Sequence, residues 1–321
     1  MKEELIIEKI KTNLGKTVKN TFIKQDYLGK GGFAVCYKVI DSKTKQPYAL
    51  KIINKSEIKT TRQKKKLLQE IQIHSELNHE RIVKFHRPFE DEDCVYLLLE
   101  LCRHKTLDEL IQKRKRLTEL EVRYYGKQIL DGLRYLREQK IIHRDLKLGN
   151  LFLGEGLRIK IGDFGLATVL KNQLQLRKTV CGTPNFIAPE IVNSRKHSFE
   201  VDLWSFGIVI YTLLVGKSPF ESDNINKTYE KIKRGKFSFP DYFEITKEAK
   251  NLLLNLLKVN QYQRLKIFQA MQHPFFLVGG LIPRSLPLDT LVNPPRHKFI
   301  RKYMDLDFLE HNKNIYQGYF N

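Results

Sequence analysis

Four side chains in one stretch of this sequence have the types and spacing to do chemistry together. His143-Arg144-Asp145-Leu146-Lys147 is followed by Asn150 and then by Asp163-Phe164-Gly165. Asp145 can accept the proton of a substrate hydroxyl and orient it. Lys147 can neutralise an anionic group in transfer. Asn150 and Asp163 offer hard oxygen ligands, which suit Mg²⁺. The reaction that asks for this mixture is phosphoryl transfer, which needs positioning and charge neutralisation and little covalent help. The spacing places Asp145, Lys147 and Asn150 on one loop, and Asp163 on the next, after the strand-like Arg158–Ile161. Each piece alone is commonplace, and an isolated Asp-Phe-Gly is most often a turn. The full set, in this order, is highly specific.

A second group lies nearer the N-terminus. Leu28-Gly29-Lys30-Gly31-Gly32-Phe33-Ala34-Val35-Cys36 sits between two apolar, strand-like runs. Its glycines let a backbone approach phosphates closely and adopt positive φ. No helix-forming run follows it, which argues against a dinucleotide fold, and no Gly-Lys-Ser/Thr ending marks a P-loop. Taken alone, the stretch fits an ordinary hairpin turn equally well. Lys51, in Ala49-Leu50-Lys51, lies on the next strand-like run. Burying an unpaired ammonium is costly, so such a lysine needs anions. Phosphates supply one, and Glu70, on an apolar-faced helix, can supply another. A lysine that snorkels its head into water fits the same residues.

The elements that must position these groups fall into two patterns. Residues 1–20 are polar and predict a short helix or a loose extension. From Phe22 to Leu101 the chain reads mostly as strands, at Tyr37–Ile40, Tyr48–Ile53 and Val95–Glu100. One helix interrupts them, with Leu67, Ile71 and His74 at helical spacing. After Leu101 the pattern turns helical. Leu117, Leu120, Tyr124, Ile129, Leu133 and Leu136 recur at helical steps, and Thr118 with Glu121 has the spacing of a capping box. Val201–Gly216 is nearly all apolar, which suits a helix buried on every side, and Ala249–Val259 is amphipathic. No internal repeat or low-complexity linker is visible. The order predicts an α+β fold of two lobes, a small β-rich one followed by a larger helical one.

Composition narrows the class. The 321 residues suffice for one large domain or two modest lobes. No apolar run approaches the roughly 18 to 20 residues needed to span a bilayer, and the N-terminus lacks the apolar core of a signal peptide. Cys36, Cys94, Cys102 and Cys181 are dispersed and form no CxxC pair, which argues against zinc or a disulfide framework and fits a reducing compartment. The net charge of +21 comes from basic residues spread along the whole chain. Its densest clusters are Lys64-Lys65-Lys66 and Lys113-Arg114-Lys115-Arg116. No aromatic stacking motif interleaves with either. The expectation is a basic surface that attracts ATP and acidic substrates, with no nucleic-acid partner. For the run at 113–116, a solvated helix end is the competing interpretation.

Taken together, these residues resemble the signature set of the protein kinases. Gly29-x-Gly31 is similar to their glycine-rich loop, Lys51 to their strand lysine and Glu70 to its helix partner. Asp145 with Asn150 resembles the catalytic loop, Asp163-Phe164-Gly165 the metal motif, and Ala188-Pro189-Glu190 the end of the activation segment. Asp202 and Arg264 fit structural positions, the latter as the partner of Glu190. Lys147 after the catalytic aspartate is the serine/threonine form. A narrower resemblance is to the polo-like kinases. It rests on Ala34 and Cys36 in the glycine loop, on Leu99-Glu100-Leu101-Cys102, and on His143–Phe152. It rests also on Lys178–Asn185 and the tail Phe275–Pro287 with Pro294-Pro295. Gln263-Arg264-Leu265 departs from the family in lacking a proline after the arginine.

The resemblance implies an N-terminal extension over 1–21, a kinase domain over 22–276 with lobes at about 22–101 and 102–276, and a C-terminal extension over 277–321 without polo boxes. It implies ATP and Mg²⁺ as cofactors. The catalytic residues would be Asp145, Lys147, Lys51 and Glu70, with Asn150 and Asp163 on the metal. Leu28, Gly29, Lys30, Gly31, Gly32, Phe33, Ala34 and Val35 would cover the nucleotide. Backbone groups of Glu100 and Cys102 would bind the adenine edge, with Cys36, Ala49, Leu99 and Phe152 lining the ring. Thr179 would carry an activating phosphate, with Arg144 as its counter-ion, and Thr183 would be a packed hydroxyl near Asp145 and Lys147. The partners implied are protein substrates acidic around the acceptor and an upstream activating kinase, with no membrane and a monomeric state. The implied location is cytoplasm and nucleus, at centrosome or spindle pole and kinetochore. An inactive kinase-fold scaffold would require loss of Lys51, Asp145 or Asp163, and all three are present.

Overall fold

Runs of β-branched and aromatic residues separated by short polar turns favour antiparallel hairpins. In the first part of the chain they produce one six-stranded sheet. The computed structural model describes residues 4–11, 15–32, 34–170, 182–241 and 244–317, so Phe33, Thr179 and Cys181 lie outside the described residues. The chain divides into two compact units, Met1–Arg103 and His104–Asn321.

The first unit holds strands β1 (Leu5–Lys11), β2 (Thr17–Gly31), β3 (Ala34–Asp41), β4 (Pro47–Asn54), β5 (Phe85–Glu90) and β6 (Cys94–Leu99). Their order is β1-β2-β3-β4-β6-β5, and each neighbouring pair is antiparallel. Helix α1 (Thr61–Glu76) starts at a capping box between Thr60 and Gln63. Ile6, Phe22, Val39, Leu50 and Leu98 form the sheet's core, backed by Phe89 stacked on Tyr96 at 4.7 Å.

The expected helix or loose extension at residues 1–20 is instead strand β1 and the first part of β2. The cause is an ion pair across the sheet. Glu8 on β1 is buried and accepts two hydrogen bonds of 2.7 Å from Arg87 Nε and Nη2 on β5. Since β1 and β5 are the two outer strands, this fork ties one edge of the sheet to the other.

The second unit is helical around a buried rod. Its helices are α2 (Leu107–Arg114), α3 (Glu119–Glu138), α4 (Pro189–Val192), α5 (Glu200–Val215), α6 (Ile225–Arg234) and α7 (Lys247–Leu256). They are followed by α8 (Ile267–Met271), α9 (Pro274–Leu277), α10 (His297–Tyr303), α11 (Leu306–His311) and α12 (Lys313–Gln317). Two small ribbons complete it: β7 (Ile141–Ile142) with β10 (Thr168–Val169), and β8 (Leu151–Leu153) with β9 (Ile159–Ile161). Every residue of α5 from Val201 to Val215 is buried, as its apolar sequence requires. It stops at Gly216, whose φ of 88° favours glycine and where a Cβ would meet the Lys115 carbonyl oxygen at 2.3 Å.

Helix α3 begins at the expected Thr118–Glu121 capping box. Glu121 also binds Arg114 through two hydrogen bonds of 2.8 and 3.0 Å, and both side chains are buried. This corrects the picture of Lys113–Arg116 as one basic face. Arg114 is spent inside the fold, because a fully desolvated Glu121 needs a cation with several donors. The C-terminal helices pack Ile300, Met304 and Ile315 against Leu120 of α3.

Glu119, in the first turn of α3, is fully buried and accepts hydrogen bonds from Thr246 N–H at 2.7 Å and Thr246 Oγ1 at 2.8 Å. Burial pushes its carboxyl up to about 7, against the pull of these bonds. A carboxyl raised by folding favours the native state at low pH, and that contribution is lost as pH rises through the folded value. Glu119→Gln removes the titration. Thermal denaturation at pH 5 and pH 8 should show the variant gaining on the parent by about 2–4 °C over that interval. An unchanged difference at both pH values would mean that Glu119 does not take up a proton in the fold.

Candidate active site

In the second unit, a short loop follows β7 and carries His143, Arg144 and Asp145. Its backbone is held from α5. The Asp202 carboxylate accepts the N–H of His143 at 2.8 Å and of Arg144 at 2.9 Å. Burial pushes the Asp202 carboxyl above its ordinary value, while His143, Arg144 and the two N–H groups pull the other way. His143 is fully buried and bonded through both ring nitrogens. Nδ1 accepts from Asp145 N–H at 3.3 Å, so Nε2 carries the proton and donates to Gly162 O at 3.0 Å. The ring also meets Phe164 edge-on at 5.2 Å. His143 is therefore the hub that joins the two loops. In the sequence His143 stands out only as a member of the His143-Arg144-Asp145 motif.

Four donors converge on Asp145. Lys147 Nζ lies 2.9 Å from Oδ2, and Asn150 Nδ2 donates to Oδ2 at 3.1 Å. Thr183 donates to Oδ1 through its N–H at 3.1 Å and its hydroxyl at 2.7 Å. Lys147 Nζ also donates to Thr183 Oγ1 at 2.9 Å. A carboxylate with its lone pairs engaged in this way has a single rotamer. Asp163 follows Gly162, whose N–H donates to Asn150 O at 3.0 Å, so the two expected metal donors sit on tethered segments. Arg144 and Asp163 both have left-handed backbone, with φ of 67° and 59°. That conformation costs non-glycine residues on the order of 1–3 kcal/mol, and it persists where the surroundings over-determine it. Arg144 Nε donates to Leu166 O at 2.7 Å.

In the first unit, Lys51 Nζ lies 2.6 Å from Glu70 Oε1, and both side chains are largely buried. The lysine therefore has its anion in the fold and does not snorkel. Register places Cys36 opposite Lys51 and Ala49 opposite Leu99. Leu28–Cys36 forms the β2–β3 hairpin, with Gly32 at its tip at φ 54°. A Cβ built on Gly29, Gly31 or Gly32 meets nothing within 4 Å among the described residues, so the hairpin leaves open space along its backbone. The Glu100 carboxylate accepts Lys84 N–H at 3.0 Å. Phe152, in the second unit, pairs with Lys160 across the β8–β9 ribbon.

A further buried pair secures the segment beyond Thr183. Arg264 forks onto Glu190 at 2.8 and 3.0 Å, donates to the carbonyls of Glu200 and Lys258, and lies over the Trp204 ring at 5.1 Å. Leu265 N–H donates to Asn255 O at 3.2 Å, a bond that a proline at this position could not make.

In the second unit a carboxylate, a lysine and an amide meet at one point, and the first unit holds a buried lysine–glutamate pair; both are features of a protein kinase. The protein kinase domain family matches residues 22–276, and the chain belongs to that family. The serine/threonine-protein kinase polo of Drosophila melanogaster is 48% identical over 278 residues, 87% of this chain and 48% of that protein. A protein of Zea mays named as a probable serine/threonine-protein kinase is 47% identical over 283 residues, 88% of this chain and 45% of its own length. The cell cycle serine/threonine-protein kinase of Saccharomyces cerevisiae is 42% identical over 296 residues, 92% of this chain and 42% of its own length. The chain thus spans less than half the length of these relatives.

Asp202→Asn tests what pins the loop. The amide keeps one acceptor oxygen but turns an NH₂ towards the second N–H, leaving a buried donor unpaired. The expected loss is about 1–3 kcal/mol of stability, read as a lower denaturation midpoint. An unchanged midpoint would show that the two hydrogen bonds do not hold the loop.

Proposed function

We propose that this chain is an active ATP-dependent serine/threonine kinase of polo-like type, acting on protein substrates in mitotic cell-cycle control. The observation that best supports it is the convergence of Lys147, Asn150 and Thr183 on the Asp145 carboxylate. In the proposed reaction a substrate hydroxyl takes the place of one of these donors at Asp145 and gives the carboxylate its proton as its oxygen bonds to the γ-phosphorus of ATP, and ADP leaves. Asp145 arrives with its rotamer set, so no ordering is left for the moment of reaction. Lys147, already beside Asp145, offsets charge on the group in transfer. Lys51, held by Glu70, grips the phosphates, and the open hairpin around Gly29 and Gly31 accommodates them.

The donor set fits magnesium. Asn150 and Asp163 supply hard oxygens, and no cluster of three or more metal-ligating side chains exists among the described residues. Mg²⁺ is commonly held by one or two protein oxygens together with phosphates and water. When bound, it would neutralise charge on the phosphates. Asn150 would present its carbonyl oxygen, since its NH₂ is committed to Asp145.

The same proposal covers substrates and control. The net charge of +21 favours peptides acidic around the acceptor. Phosphorylation of Thr179 by an upstream kinase would add about −1.5 to −2 charge. Arg144 would take it in bidentate fashion. The protein would work as a monomer in cytoplasm and nucleus, at spindle poles and kinetochores.

Turnover on a library of acidic and basic peptides tests the proposal, with Asp163→Asn as the inactive control. Asp145→Asn should lower turnover by roughly 10²–10⁴-fold while ATP still binds, and Lys51→Met should abolish most activity. Near-normal turnover of Asp145→Asn would overturn the assignment, and absence of turnover in the parent would leave a scaffold. Thr179→Val should depress activity, Thr179→Asp should partly restore it, and Arg144→Ala should remove the gain from phosphorylation. Equal turnover of phosphorylated and unphosphorylated protein would refute the switch alone.

A further inference from the structure

We propose that a cavity in the C-terminal part of the second unit binds an acidic peptide segment of a protein partner. The cavity measures about 460 Å³ and lies between the Pro287–Thr290 turn and helix α10. Pro287, Pro295 and Phe299 give it an apolar floor, and Arg296, Lys298 and Lys302 stand around it with Asp289 and Thr290. None of these residues belongs to the loops that carry Asp145 or Asp163.

Both walls are fixed before any ligand arrives. On one side, Thr290 Oγ1 donates to Pro287 O at 2.6 Å, and Thr290 O accepts a hydrogen bond from the buried Arg114. On the other, Ile300 and Met304 anchor α10 against Leu120. A preformed cavity loses little conformational entropy on binding.

The charge of the rim selects the occupant. Lys298 and Lys302 are exposed and have no ion-pair partner among the described residues. They stand four residues apart on one helical face, where like charges repel. Arg296 reaches a carboxylate only at the 4.0 Å limit, to Asp289, and its side chain is 88% exposed. The Asp289 carboxylate itself is engaged by Asn293 Nδ2 at 3.1 Å. Three cations around a proline- and phenylalanine-lined floor match a peptide in which carboxylates flank an apolar side chain. Duplex nucleic acid would use the cations and leave the apolar floor unfilled. The peptide uses both.

The test is fluorescence polarisation of the 321-residue chain with a labelled Glu-Glu-Asp-Phe-Glu-Asp peptide. The parent should bind it, and added salt should weaken binding. The double variant Lys298→Glu/Lys302→Glu should bind at least about tenfold more weakly. Its turnover on a short acceptor peptide lacking this segment should be unchanged. Lys298→Arg/Lys302→Arg should retain binding. If charge reversal lowers the denaturation midpoint, Lys298→Gln/Lys302→Gln takes its place with the same expected loss. Binding by Lys298→Glu/Lys302→Glu equal to the parent's, or by Lys298→Gln/Lys302→Gln where it takes its place, would overturn the proposal. So would equal binding of the Gln/Asn version of the peptide, or displacement of the acidic peptide by duplex DNA at equal charge.

Discussion

The carboxylate of Asp202 takes the main-chain N–H groups of His143 and Arg144 from the first turn of a helix buried on every side. Such a helix can move only with its whole surroundings, since Trp204, Ile208 and their neighbours pack it at crystal-like density. Its first turn is therefore a rigid post. The acid placed there fixes two consecutive peptide units, and the following residue is Asp145. From that point the hydrogen bonds run outward, from His143 to Gly162 and from Asn150 to Asp145. Burying an acid is costly, and here two N–H groups and a helix N-terminus offset part of the cost.

Strain and support occur at the same places. Arg144 and Asp163 hold left-handed backbone that non-glycine residues rarely adopt, and each adjoins a residue bonded in more than one direction. The network supplies what those two conformations need. Beyond Thr183 the same logic recurs at larger scale. Arg264 fills the space between Glu190, Glu200 and Lys258 with one planar fork, where lysine could make only a point contact.

The convergence of Lys147 and Asn150 on Asp145 was legible in the sequence because these residues lie within six positions of one another. The helices with long apolar periodicity were legible too, and α5 was recognisable from its lack of a polar face. Lys51 was ambiguous, because a strand lysine can equally reach water; Glu70 decides it, and their proximity depends on how α1 packs on the sheet. Strand β1 was missed because its polarity does not follow its burial: the inward face carries both Ile6 and the charged Glu8. Leu5 and Ile7 face outward while the charged Glu8 is buried, and its partner Arg87 lies 79 residues away. No local pattern announces such a pair. Arg114 was hidden in a basic run for the same reason, its partner being set by the approach of α3.

The excess of positive charge then separates into two populations. Arg114, Arg123 and Arg264 are inside the fold, held by Glu121, by the Gly280 carbonyl and by Glu190. Guanidinium suits that role, being weakly hydrated and able to make several directed bonds at once. The lysines at 64–66, 298 and 302 are exposed. Ammonium groups on the surface interact through solvent, and salt screens them within about 8–10 Å. The contacts of the interior arginines are therefore screened much less by salt than the field of the surface lysines.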